Sequence, residues 1–341
     1  MNSRRKSGPG FVVKLLAYLL TGIICLAIVL LGVVWVMEKG PSETLTGMFC
    51  RSVRETSAIR WISEIFLSDE EVEQYKSVST QEEETKPVNP SLISVASSDE
   101  SSEDDADAIE LIDISAGTCK GKLLIVHDPK QVILGTSDAF AYQPGLQLTE
   151  LVAKYDGIAG INAGGFNDEN GTGDGGTPQG LVITDEGIIW GNSAARYNIV
   201  GLDGDGILQV GTMTGDEALE AGIKWGVSFT THDGLASSLI INGEVQTQNL
   251  GGGVNPRTAI GQRSDGALLL LVLDGRSIST LGATMENIAD IMLEYGAVNA
   301  GNLDGGSSSV MVYDGEIINN CASVTGPRRI PTGFIVLKEA A

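Results

Sequence analysis

The stretch NLDGGSSSVMVYDG, residues 302–315, holds two Asp-Gly steps ten positions apart. Asp314-Gly315 lies between two apolar runs, SSVMVY and EIIN, the pattern of a two-residue hairpin turn. Asp304 is placed differently. It follows a helical pattern and leads into Gly305, Gly306 and three serines, so its carboxylate stands where a buried run stops rather than where it doubles back. Asp274 has the same character: it ends ALLLLVL and is followed by Gly-Arg-Ser. Loops at strand ends are where a rigid scaffold carries its chemistry. Two carboxylates so placed are the candidate catalytic residues, suited to general-base or nucleophilic work.

Positive groups recur at comparable places. Arg257 in NPRTAIG and Arg328 in TGPRRIPTGF each open a strand pattern, and Arg276 directly follows Asp274-Gly275. In a chain with 44 acidic against 22 basic residues, such arginines point to an anionic group on a substrate. Guanidinium forks match phosphate oxygens. INAGGFNDENGTGDGGTPQG, from Ile161, runs from a buried strand into a glycine-rich loop that lets a ligand approach the backbone. Asn162 at its start could orient hydroxyls of a ligand, and Ser307 beside the Gly305-Gly306 backbone is a further candidate for ligand binding. Asp168, Asn170 and Asp174 resemble the front half of a calcium loop, although its twelfth position is Gln179 rather than Glu. Calcium is therefore one reading of that loop, and no other cofactor is called for.

Composition removes several classes. A net charge of -22 argues against non-specific nucleic-acid binding. Two histidines, His127 and His232, exclude a multi-histidine metal site. A serine hydrolase would have to pair Ser307 or Ser308 with His232. The other alternative is a non-catalytic module that binds cell-surface glycans.

The elements that must position these groups are mostly short β-type runs. KLLIVHD, QGLVITDEGIIWG, SLIINGEVQT, TAIGQRSDGALLLLVLD and SSVMVYDGEIIN break at Gly, Asn-Gly or Asp-Gly. Helical patterns are fewer: LTELVAKY, a run over Asp216 to Lys224, and TMENIADIMLEYG with Thr284 as N-cap and Gly296 as stop. The expected fold class is α+β, a single extracellular domain over 109–341 with a mixed, largely antiparallel sheet core and a few packed helices.

Ahead of that domain, residues 15–37 carry no charge and are long enough to span a bilayer. Arg4, Arg5, Lys6 and Lys14 place residues 1–14 in the cytoplasm and the remainder outside, with the span as an uncleaved anchor. Residues 38–76 read as a juxtamembrane helical stalk, a plain spacer with amphipathic character. Residues 77–108, with QEEETKPVNP and SSDESSEDDAD, read as an acidic disordered tether. Cys119 and Cys321 are the two domain cysteines, and an extracellular setting permits a bond between them without requiring one.

Four stretches in order, INAGGF…GGTPQGLVI, PRTAIG…DGALLLLVLDGR, AVNAGNLDGGSSSVMVYDGEIIN and GPRRIPTGFIV, resemble the phosphodiester glycosidase family from about Asp113 to Lys338. The resemblance implies hydrolysis of a sugar-1-phosphodiester at the anomeric carbon, of the N-acetylglucosamine-1-phosphodiester kind, on a glycan or polymer that contains sugar phosphate. It departs from the family's pattern at Gly165-Phe166, where an aromatic pair is usual, and over Phe229 to Ser238, which lacks a proline.

Overall fold

The uncharged run near the N-terminus is one helix, α1 (Phe11–Lys39), with its apolar side chains exposed along its length. It is long and apolar enough to cross a membrane, as an anchor or as a signal. In this computed structural model the described residues are 10–75, 86–95, 109–168, 171–230, 237–277, 279–323 and 326–339.

The stalk is more than a spacer. Ser42 caps α2 (Glu43–Arg54) by accepting from Leu45 N, and a reciprocal Ser68–Glu71 capping box opens α3 (Asp69–Gln74). Cys50, Leu67 and Val72 bury against one another, rimmed by Phe49 and Tyr75. The amphipathic residues thus find partners within the stalk itself. Glu38, at the end of α1, is buried and accepts a hydrogen bond from Phe66 N at 2.8 Å, which ties the apolar helix to this unit.

The tether expectation needs correction for one part. Residues 86–95 lie on the domain: Val88 and Ile93 are buried, Asn89 N donates to Asn242 Oδ1 at 2.7 Å, and Ser94 N donates to Ser264 O at 2.8 Å. The PVNPSLI run has the apolar side chains that its acidic flanks lack. Its two prolines also lower the entropy lost on docking.

Among the described residues three antiparallel sheets build the domain, in keeping with the expected α+β class. The largest has seven strands, in spatial order Ile109–Ala116, Cys119–Val126, Leu268–Leu273, Arg257–Arg263, Ala297–Asn302, Ser238–Ile241 and Glu244–Val245. A second has the order Glu316–Ile317, Met311–Tyr313, Gly157–Asn162, Thr332–Leu337 and Val132–Thr136. The third comprises Gly187–Trp190, Val182–Thr184, Ile223–Ser228, Arg196–Asp203 and Leu208–Thr214. One core joins all three, with Leu270 and Ile260 from the first, Ile161 and Phe334 from the second, and Val200 and Val227 from the third.

Helices cover the sheets. α4 (Leu148–Lys154) packs on the second sheet, and α5 (Gly215–Glu220) on the third. α5 stops well before Lys224 because Gly222 takes a left-handed φ of 81° and Ile223 opens a strand. α6 (Met285–Glu294) begins with Thr284 accepting from Asn287 N and buries Met285, Ile288, Ile291 and Met292 on the outer face of the seven-stranded sheet.

Candidate active site

Antiparallel register decides which strand ends meet. Arg257 lies opposite Leu273, and Ala259 opposite Asn302. The start of the Arg257–Arg263 strand and the ends of its two neighbours therefore share one edge, which gathers Arg257, Asp274 and Asp304. In the second sheet Asn162 lies opposite Gly333, and Ile161 opposite Met311. The chain leaves the first sheet at Asn302 and enters the second at Met311. The Asp304 stretch is the crossover between them, pinned by Leu303 N to Thr258 O (2.8 Å) on one side and Asp304 N to Ala163 O (3.0 Å) on the other.

Asp304 is partly exposed in this seam. Loss of water around the carboxylate raises its proton affinity, so that it titrates at about 7, well above an ordinary aspartate. A hydrogen bond from Ser308 and the positive charge of Arg328 act the other way, and Asp168 adds to the rise. Arg328 reaches Ser307 Oγ at 3.3 Å, is gripped by both oxygens of Asp168 at 2.9 and 3.2 Å, and stacks over the Phe166 ring at 5.1 Å. Asp304, Ser307, Ser308, Arg328 and Asp168 form one cluster. Asp168 is its unforeseen member. The sequence offered it only as a calcium ligand, whereas here its carboxylate orients an arginine, and Asp174 Oδ1 accepts from Gly176 N. Asn170 lies outside the described residues. Among those described, no group of three or more His, Cys, Asp or Glu residues is placed to hold a metal ion.

Asn162 does not present its amide to a ligand. It is 1% exposed; Nδ2 donates to Asp304 O at 2.6 Å, while Oδ1 accepts from Thr258 Oγ1 at 2.8 Å and Val310 N at 3.1 Å. It stitches both sheets to the backbone of Asp304, a positioning role.

Asp274 is likewise turned to other work. Its oxygens accept from Asn320 N at 2.9 Å and Asn320 Nδ2 at 3.0 Å, so it anchors the loop after the Asp314-Gly315 hairpin. Substituting Asp274→Asn sets an amide donor against those donors. The expected outcome is a loss of about 1–3 kcal/mol in stability, measured by chemical denaturation. The pH profile of any activity should keep its shape; a displaced profile would return Asp274 to the chemistry.

The second positive corner lies across Gly305-Gly306. Gly306 has φ 63° and its N–H donates to Pro256 O at 2.9 Å, and a Cβ there would stand 3.3 Å from an Arg276 Nη atom. Arg276 itself adopts a left-handed φ of 52°, a strained choice for a residue other than glycine, and burial together with the neighbouring Arg257 lowers its proton affinity. Arg257 is buried and its Nε donates to Ala283 O at 3.1 Å. Its ion-pair partner is Glu55 of the stalk, at 2.7 Å. No local signal in the sequence links those two residues.

Asp314 (φ 50°) and Gly315 (φ 78°) both take the left-handed conformation of a tight hairpin turn. The four cysteines are free thiols: Cys119 Sγ faces Gly282 O and Cys321 Sγ faces Ser307 O. His232 lies outside the described residues.

A model of the phosphodiester glycosidase family matches residues 155–337, more than half of the chain. The chain belongs to that family. Part of this phosphodiester glycosidase, 66 residues or 19% of the chain, is 47% identical to the SPbeta prophage-derived uncharacterized protein YomE of Bacillus subtilis, covering 10% of that protein. Over 154 residues, 40% of the chain, it is 29% identical to human N-acetylglucosamine-1-phosphodiester alpha-N-acetylglucosaminidase, covering 29% of it. The chain thus matches less than a third of the length of either curated relative. Its fold is that of the zebrafish N-acetylglucosamine-1-phosphodiester alpha-N-acetylglucosaminidase catalytic domain, auto-inhibited by its pro-peptide, with a TM-score of 0.57 and 20% identity over 72% of this chain and 87% of that one.

Proposed function

We propose that this phosphodiester glycosidase is a membrane-anchored hydrolase that cleaves the anomeric C–O bond of a sugar-1-phosphodiester and releases a sugar and a phosphomonoester. The carrying observation is Asp304, a carboxylate lifted to about 7 in the seam between two sheets, with a buttressed arginine beside it. A base poised near neutrality suits proton abstraction from water. In the proposed step the water oxygen bonds to C1, its proton passes to Asp304, and the electron pair of the C1–O bond leaves with the phosphate. A phosphomonoester, with a second pKa of about 6, departs without a protonating acid. Arg328 offers charge to that developing anion. Ser307, whose oxygen accepts from Arg328, keeps its own hydrogen to donate.

The names of the human and zebrafish relatives supply the substrate class, N-acetylglucosamine-1-phosphodiesters. The basic residues before α1 favour an N-terminus inside and a catalytic domain outside, where a phosphate-containing glycan of the envelope or an exopolysaccharide is the natural target. The serine-hydrolase reading loses ground to Arg328, since a guanidinium next to Ser307 cannot take its proton.

The test is hydrolysis of an N-acetylglucosamine-1-phosphodiester by the full chain in detergent, with both products assayed across pH. Since the base must be ionised, kcat/KM is expected to be flat above about 7 and to fall about tenfold per pH unit below it. Ligand retention with no release of either product would instead indicate a glycan-binding module.

A further inference from the structure

The small core of the stalk does not absorb all its apolar residues. Leu45, Ile59, Trp61 and Phe66 are exposed, Trp61 to 62%. Leu45 stands on the first turn of α2, Ile59 and Trp61 on the 3₁₀ helix Ser57–Glu64, and Phe66 just after it. The domain is several times longer, yet it exposes only six large apolar side chains among its described residues, each on a different element or loop. Apolar residues exposed singly are ordinary; a group of them on one small unit marks a contact surface.

α1 identifies what covers that surface. Its uncharged run, 15–37, extends about 35 Å, the thickness of a bilayer's hydrocarbon core crossed at a slight tilt. Tyr18 and Trp35 are exposed near its two ends, at the levels where aromatic rings settle among headgroups. Glu38 is the first residue beyond the run, and it accepts from Phe66 N at 2.8 Å. Phe66 therefore lies at the depth of the outer headgroup layer. The Lys39–Glu71 ion pair holds α3 to the same level. Trp61 precedes Phe66 by about 10 Å of 3₁₀ rise, and Leu45 opens the helix that follows α1 directly.

The domain is held to this unit by the edge that carries the candidate site. Glu55, just past α2, accepts from Gly253 N and Asn255 Nδ2, both at 2.8 Å, and pairs with Arg257 at 2.7 Å. Ser52 Oγ accepts from Val254 N at 2.8 Å, and Thr56 Oγ1 accepts from Arg276 Nη2. Pro256, in the same stretch, accepts from Gly306 N of the Asp304 loop. α2 is about 18 Å long, so it sets the height of that edge above the headgroups.

We propose that Leu45, Ile59, Trp61 and Phe66 form a membrane-contact face that lies in the outer headgroup layer and holds the Asp304 edge over the bilayer, so that the enzyme takes its sugar-1-phosphodiester from a lipid carrier in that membrane. The contact rests on α1 as an anchor, and the lipid-borne substrate on the reaction, both proposed above. The charges of the stalk are mostly acidic, so the contact is apolar rather than electrostatic and withstands salt.

The test places the full chain in phosphatidylcholine vesicles and reads tryptophan emission with bromines set high or low on the acyl chains. Trp35→Phe removes the signal of α1, while Trp190 and Trp225 are packed against the domain core. Emission of that variant is expected to fall with shallow bromines more than with deep ones, at low and high salt alike. The loss should vanish in Trp35→Phe/Trp61→Phe. Kinetics in the same vesicles then compare two N-acetylglucosamine-1-phosphodiesters, a hexadecyl ester that partitions into the bilayer and a methyl ester that does not. Trp61→Ser is expected to raise KM for the hexadecyl ester about tenfold with kcat unchanged, and to leave the methyl ester unaffected. A Trp35→Phe chain that no brominated lipid quenches overturns the proposal, whatever the activity. Equal changes for both esters overturn the lipid-borne substrate. Quenching of Trp61 with neither ester hydrolysed supports the membrane face and sinks the reaction assignment instead.

Discussion

Asp304→Asn is expected to abolish turnover while making the folded domain more stable at pH 8. The amide keeps the shape of the carboxylate but cannot accept a proton from water, so kcat/KM should fall by at least about 10³-fold. The stability gain follows from the same burial. The carboxyl titrates at about 7 in the fold against an ordinary 3.8, so the folded state holds a proton that the unfolded state has already lost between those values. Stability is full below about 4 and declines as pH rises towards 7, by roughly 1.4 kcal/mol per pH unit. Above that range the wild type carries the whole penalty and the Asn variant carries none. Thermal unfolding of both proteins at pH 4 and pH 8 checks this: the variant should gain at pH 8 and lose the advantage at pH 4. Residual activity near the wild-type level would remove Asp304 from the chemistry. A pH-independent difference in melting temperature would remove the burial argument.

Asn162→Ala is expected to be the most damaging single truncation away from the reacting groups. It leaves Thr258 Oγ1, Val310 N and Asp304 O without their partner in a site that is closed to water. At about 1–3 kcal/mol for each buried group left unpaired, a loss of about 3–5 kcal/mol is expected from denaturant unfolding. Activity should fall through kcat more than through KM, since the backbone of Asp304 loses its tether while the arginines keep theirs. Asn162→Asp is expected to be no better than the alanine variant at pH 8, where an ionised oxygen would face Asp304 O in a buried site, and to recover stability at low pH, where the protonated acid can donate to that carbonyl. An Asn162→Ala protein with normal stability and normal kcat would show that the stitching is incidental.

What was legible in the sequence was local. The hairpins at Asn242-Gly243, Asp265-Gly266 and Asp314-Gly315, and the helix between Thr284 and Gly296, are written in neighbouring residues, and so was the contrast between Asp304 and Asp314. The hairpin of Arg196–Asp203 and Leu208–Thr214 escaped notice because Gly201 and Gly211 interrupt its apolar alternation. The larger misreadings concern partners distant in sequence. Asp168 carries a calcium-like local spacing, yet it meets Arg328, 160 residues away. Glu55 lies 200 residues from Asn255, whose amide it holds, and nothing near Glu55 announces that destination. Asp274 and Asn162 read as chemistry by position, and only the closed register of the sheets turns them to structural use.

The crossover between the sheets has a consequence for when this protein can act. The seam is knitted by contacts between Asn162 and Asp304, Asn162 and Val310, and Gly164 and Thr332, which span 142, 148 and 168 residues of chain. Pairings of such long separation form late. During synthesis, Asp304 and Arg328 become neighbours only after the chain has emerged past Arg328 and both sheets have closed. A nascent chain therefore lacks the assembled Asp304–Arg328 cluster, and refolded protein should regain activity with its slowest phase.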